Sequence, residues 1–322
     1  ALLFSANRNP EWEHEFRNSE IYSVRVDDRT ITALTDRNGP DQSPVVSPDG
    51  TQVAFLGYED RVRTYQTTRL QVMNLDGSGS RVVTEDLDRS VSRAVWDEEG
   101  RGLFFQYDDE GNTKLGHVTL EGEVRVLAND LGGSSYGRPY GGGSFSVADD
   151  GRFAVMTTTP ERPGDVAIGR IDGAGVERIT HLNEDLLGSK TLGEVEEIWW
   201  DSSADGRKVQ GWIVKPPDFD PSRRYPLILE IHGGPVSNYG DRFSSEIQLM
   251  ASQGYVVLYA NPRGSTSYGE EFGDLLYHNY PGQDYDDLMS GVDAVIERGY
   301  IDERNLFVTG GSAGGIMTAW IV

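Results

Sequence analysis

The sequence predicts two domains of different class: a partial all-β propeller of about three to four blades over residues 1–185, and a partial α/β domain over residues 186–322. Three observations carry this prediction. An Asp/Glu-Gly turn followed by an apolar strand recurs through the first 180 residues; the recurrence stops after Thr180; and from there apolar strands alternate with helical stretches. A chain of 322 residues also exceeds what one core normally organises.

The repeat has two markers. The first is "SPDGTQVAFLG" from Ser47, "DEEGRGLFFQY" from Asp97 and "ADDGRFAVMTT" from Ala148, whose turn glycines Gly50, Gly100 and Gly151 lie about fifty residues apart. The second is a strand, a polar turn and a strand ending at Thr35, Thr84, Ala128 and Thr180. Each unit supplies about four short strands joined by Gly-containing turns, where glycine allows the positive φ of a tight hairpin. Four strands every 40 to 50 residues or so is the pattern of a propeller blade, and a β-sandwich does not repeat one turn at a fixed period. Propellers close with about 4 to 8 blades, so further blades are expected upstream of Ala1. The opening "ALLFSANR", without Met or a signal-peptide pattern, reads as a beginning in mid-domain.

After Thr180, "HLNEDLLGSKTLGEVEEIWW" breaks the period and a hairpin turns at Asp205-Gly206. The strand "PLILEIH", a helix around "SSEIQLMASQG", the strand "YVVLYANPRG", an amphipathic helix and the strand "NLFVT" follow. In that second helix Tyr285, Leu288, Met289, Val292, Val295 and Ile296 share one face, and Gly299 is placed to end it. Alternating apolar strands and helices predict a mainly parallel sheet covered on both sides.

Composition narrows the function. A net charge of −23 with no basic patch argues against nucleic acid or an anionic membrane as partner. No apolar run approaches the roughly eighteen residues of a membrane span. There is no cysteine, hence no disulfide and no thiolate chemistry. Apart from Glu13 beside His14 no His/carboxylate cluster has ligand spacing, so neither metal nor cofactor is expected. A cytoplasmic location is the expectation, with periplasm or secretion left open by the missing N-terminus; a homo-oligomer is left open too.

The chemistry sits near the end of the chain. "GGSAG", Gly310 to Gly314, fits G-x-S-x-G between a β-branched strand and a helix. Such a serine occupies a strained turn that lifts its Oγ clear of the sheet, and the residues two before and two after must be small. Ser312 is therefore the candidate nucleophile, against the plainer reading of a Gly-rich loop at a helix N-terminus. "LEIHGGP" ends a buried strand with glycines that let backbone donors approach a developing oxyanion. The N–H groups of Ala313 and Gly234 are assigned that role, with Gly233 as the second choice in the loop. His232 is read as structural rather than as a base.

"SPDG" blades leading into "EEIWWDSSADGRKVQGWIVKPPDFDPSRRYPLILEIHGGP", "ANPRGSTSYG" and "VTGGSAGG" resemble the prolyl oligopeptidase family of serine peptidases, with the acylaminoacyl-peptidase and dipeptidyl-peptidase-like enzymes as the nearest subgroup. The resemblance implies a propeller capping an α/β-hydrolase domain and limiting entry to short peptides. It implies Ser312 as nucleophile, and Arg263 in "NPRGS" either beside the active site as a substrate-binding residue or tying down its loop.

One departure is serious. α/β-hydrolases order their triad Ser, Asp or Glu, His, yet no carboxylate or histidine follows Ser312; the histidines are His14, His117, His181, His232 and His278. The expectation is a fragment cut at both ends that holds the N-terminal half of the hydrolase domain, with the acid and base beyond it, and that is inactive alone. A carboxylesterase with the same machinery, and a propeller binding scaffold carrying a degenerate hydrolase, are the alternatives. The acidic stretch "NPEWEHEFRNSE" reads as a solvated connection between two strands rather than a site for a peptide N-terminus.

Overall fold

The computed structural model describes residues 1–173 and 175–322. Its first part is a succession of antiparallel meanders. Strands β1 (Leu2–Ala6), β2 (Glu20–Val24) and β3 (Ile31–Ala33) form a three-stranded sheet. The next meander is β4 (Asp41–Val46), β5 (Gln52–Gly57), β6 (Arg69–Asn74) and β7 (Arg81–Val82). After it come β8 (Val91–Trp96), β9 (Gly102–Asp109), β10 (Asn112–Thr119) and β11 (Val124–Leu131). The last is β12 (Phe145–Val147), β13 (Arg152–Thr159), β14 (Arg162–Arg170) and β15 (Val176–Arg178), joined to the one before through the Leu131–Thr157 pair of β11 and β13.

The three turn glycines do one job. Gly50, Gly100 and Gly151 have φ of 73°, 65° and 75° and each closes the first hairpin of its meander, donating its N–H to the carbonyl oxygen of Ser47, Asp97 and Ala148. A side chain there would strain the left-handed backbone, which is why the marker is legible in sequence. Consecutive meanders enclose successive apolar clusters. Ile21 packs with Val53, Phe55 and Met73; Ala54, Leu70 and Val72 with Trp96, Leu103 and Phe105; Phe104 and Leu115 with Phe145, Phe153 and Val155.

The short helix α1 (Glu184–Leu187) separates this part from a five-stranded sheet. Its elements are β16 (Val195–Asp201), β17 (Lys208–Val214), β18 (Tyr225–Ile231), α2 (Ser245–Ser252), β19 (Val256–Asn261), α3 (Glu270–Gly273), α4 (Asp284–Ile296), β20 (Ile301–Gly310) and α5 (Ala313–Ile321). The sheet order is β16-β17-β19-β18-β20. The expected mainly parallel sheet is in fact mixed: β19, β18 and β20 run parallel, whereas β16, β17 and β19 are antiparallel neighbours. The β16–β17 pair has a local cause, since the turn at Asp205-Gly206, with Gly206 at φ 76°, is too short for anything but an antiparallel hairpin, whereas β17 and β19 pair across more than forty residues.

Helices cover both faces, as the alternation predicts. Val209, Ile213, Leu229 and Leu258 meet Leu288, Val292 and Val295 of α4 and Met317 of α5. On the other face Trp212, Val214, Val257 and Tyr259 meet Ile247 and Ala251 of α2. Tyr285, Met289 and Ile296 pack at the rim of the α4 face, and Gly299 (φ 82°) turns the chain after it. Among the described residues no helix is long and apolar enough to cross a membrane.

Candidate active site

Strands β18 and β20 are parallel neighbours whose last residues, Ile231 and Gly310, are paired. The segments leaving these two strands must therefore emerge side by side at the carboxyl end of the sheet, where α/β folds build their sites. Strand β18 continues into His232-Gly233-Gly234 and β20 into Gly311-Ser312-Ala313. A Cβ placed on Gly233 would stand 3.2 Å from the Cβ of Ser312 and 2.9 Å from the Gly311 carbonyl oxygen.

Ser312 is exposed and sits between β20 and α5 with φ 56° and ψ −118°. A non-glycine residue held in this sparsely populated region stores strain on the order of 1–3 kcal/mol, kept only where the surroundings over-determine it. The surroundings are visible. A Cβ on Gly314 would lie 2.1 Å from the Ile231 carbonyl oxygen, and one on Gly310 would lie 2.6 Å from the backbone of Gly314. The helix thus crosses the strand ends at a distance only glycine permits, and the chain must turn sharply at the serine to do so.

The backbone donors differ in their surroundings. The N–H of Gly233, a buried residue, donates to the Tyr140 hydroxyl at 2.8 Å. Gly234, exposed and at φ 138°, has no acceptor for its N–H among the described residues, and neither has Ala313 at the first position of α5. The first N–H groups of a helix lack intrahelical partners and point outward.

His232 is 3% exposed, and both ring nitrogens are engaged: Nδ1 lies 2.9 Å from the Gly233 carbonyl oxygen and Nε2 2.9 Å from Ser265 Oγ. Burial pushes this imidazole down to about 4, so it is neutral at ordinary pH. Neither nitrogen faces Ser312, and the ring serves as a brace between two loops.

Arg263 is buried as well. Nε and Nη2 donate to the two carboxylate oxygens of Asp287 at 2.9 and 2.8 Å, and the guanidinium also reaches Gln283, Asp205 and Ser202. Its side chain is 1% exposed. This geometry is that of the loop tie; as a substrate-binding residue Arg263 has no free donor to offer.

Two residues near the site carry no local sequence pattern. Tyr140 and Arg138 belong to the connection between β11 and β12. Arg138 Nη1 would lie 2.7 Å from a Cβ on Gly311, and its Nε pairs with Glu246 at 3.0 Å and with Glu230 at 3.3 Å. Glu230 is 1% exposed, accepts from the Tyr239 hydroxyl at 2.7 Å, and has its carboxyl raised by burial. Tyr140 and Arg138 were accessible only from the fold, since 93 residues separate Tyr140 from the glycine it binds.

The chain is similar to proteins of known family and known structure. The model of the prolyl oligopeptidase family matches residues 241–322. An uncharacterized peptidase, YuxL, of Bacillus subtilis (strain 168) is 37% identical over 232 residues, 71% of this chain and 34% of that protein. The dipeptidyl-peptidase 5 of Trichophyton equinum is 32% identical over 325 residues, 95% of this chain and 42% of the relative. The structure of Pyrococcus horikoshii acylaminoacyl peptidase superposes with a TM-score of 0.78 at 25% identity, over 95% of this chain and 45% of that one. The chain thus spans between about a third and a half of the length of the relatives it matches. Residues 241–322 thus match the prolyl oligopeptidase family, and over most of its length the chain is similar to proteins named as peptidases.

Proposed function

We propose that the protein carrying this chain hydrolyses short peptides through an acyl-enzyme on Ser312. The observation that carries the reading is the strained serine in its glycine-walled turn, held beside the Gly233-Gly234 loop with two backbone donors unengaged. Ser312 Oγ attacks the carbonyl carbon of the scissile amide while its proton passes to a base. The carbonyl oxygen becomes an oxyanion between the N–H groups of Ala313 and Gly234. The C–N bond then breaks as the amine takes up the proton, and water hydrolyses the resulting ester. The base is a histidine and its orienting partner an aspartate, both outside these 322 residues. None of the histidines here bonds to Ser312 among the described residues, and the relatives are more than twice as long.

The successive meanders are read as blades of a partial propeller over residues 1–185, followed by the first half of an α/β-hydrolase domain over 186–322. Successive apolar clusters shared between neighbouring meanders, rather than a single core common to all of them, support the blade reading. In the full-length protein, kcat/KM for aminoacyl and N-acylaminoacyl arylamides is expected to fall at least a thousandfold in Ser312→Ala. Unchanged arylamide hydrolysis in that variant would sink the assignment, and hydrolysis of p-nitrophenyl esters alone would make the protein an esterase.

A further inference from the structure

The β-rich part reaches into the turn that holds the nucleophile. Residues 136–142 run along residues 237–246 in a backbone ladder. Gly240 N–H donates to the Pro139 carbonyl oxygen at 2.8 Å and Gly141 N–H to that of Asn238 at 3.0 Å. Ser245 and Glu246 donate to the carbonyl oxygens of Tyr136 and Gly137 at 2.7 and 3.1 Å. The last two donors open helix α2 and have no acceptor within it, so the connection caps that helix. Arg138 adds its pairs with Glu246 and Glu230. Tyr140 is thus fixed from both sides, its ring edge-on to Tyr239 at 4.8 Å, and its hydroxyl lies 3.2 Å from the point where a Gly233 side chain would start. Ser312 Cβ lies at the same distance from that point.

We propose that Tyr140 is a positioning residue for the oxyanion loop, an inference that rests on the serine-peptidase reading. By accepting the Gly233 N–H it satisfies that buried donor and holds the 232–235 loop with the Gly234 N–H free to join that of Ala313 at the reacting oxygen. Without the hydroxyl, Gly233 is left with an unpaired buried donor, which the loop relieves by turning. A shift of this kind at a backbone donor costs rate far more than substrate affinity.

The test uses the full-length protein, first labelled with a fluorophosphonate; absence of labelling in the wild type would defeat the peptidase reading itself. In Tyr140→Phe, which keeps the ring, kcat for a peptide arylamide is expected to fall roughly 10- to 100-fold with KM nearly unchanged. Inhibition by a peptide aldehyde, whose hemiacetal oxygen takes the oxyanion position, should weaken in parallel, while the matching peptide alcohol binds as before. Tyr140→Gln, whose amide oxygen can accept from Gly233, should recover part of the loss and is measured in its place if Tyr140→Phe does not fold. Unchanged kcat and aldehyde affinity in a labelled enzyme, or a rise in KM alone, would overturn the inference while leaving Ser312 in place.

Discussion

Between His232 and Asp241, ten residues hold two groups that burial drives toward their neutral forms. The His232 imidazole falls to about 4, and the Asp241 carboxyl rises from its usual 3.8 to about 6. For Asp241 desolvation comes first, with Glu197, Asp130 and Glu161 adding repulsion. Between its usual value and about 6, the folded protein binds more protons at Asp241 than the unfolded chain does. The contribution of this group to stability therefore declines as pH rises through about 6. Asp241→Asn should gain stability relative to wild type on going from about pH 5 to about pH 8, read by urea unfolding at both. A difference independent of pH would contradict this. At this scale the sequence announces residues whose role is local. Ser312 is legible because its turn needs glycines two places either side, and His232 because it abuts a Gly-Gly pair. The loop tie is one of two readings of Arg263 in the sequence, but its partners are hidden, since Asp287 and Asp205 lie 24 and 58 residues away along the chain.

Strands and helices are legible where their period is strict. The turn glycines mark the first hairpins of three meanders, and the apolar stripe of α4 lands on the sheet. Strand direction is less legible, because β17 is antiparallel to β19 through a partner that arrives more than forty residues later. The junction of β20 and α5 is where an element-level constraint is most acute. Gly314→Ala would set a methyl 2.1 Å from the Ile231 carbonyl oxygen, so strand and helix must part. Overpacking of this kind costs about 1–3 kcal/mol and moves Ser312 with the helix. Chemical denaturation should show the loss together with slower fluorophosphonate labelling; a variant equal to wild type in both would mean that the crossing leaves room for a methyl.

The two parts of the molecule meet over polar groups. Asp274, just after α3, accepts from the backbone N–H of Thr64 at 3.0 Å and pairs with Arg63 at 2.9 Å. Arg242, 3% exposed, donates to the carbonyl oxygens of Leu131, Gly142 and Gly111 and to the Thr113 hydroxyl at 3.0–3.2 Å. All four acceptors belong to the β-rich part, so this one guanidinium pins β10, β11 and their flanking turns to the α/β part. Its loss leaves buried carbonyls unpaired, and hydrogen bonds to a charged group contribute roughly 1.5–3 kcal/mol. Arg242→Ala should separate the thermal unfolding of the two parts into distinct calorimetric transitions; a single transition at the wild-type temperature would contradict that role. No periodicity or motif marks Arg242, because its partners lie a hundred or more residues away.

Everything proposed for the reaction depends on Ser312 being a nucleophile. Treating the full-length protein with a fluorophosphonate and locating the adduct by peptide mass spectrometry decides it. One adduct is expected, on the peptide containing Ser312, and none there after Ser312→Ala. A folded protein that takes up no probe, or carries it elsewhere with Ser312→Ala labelled equally, would show that Ser312 is not the reacting group.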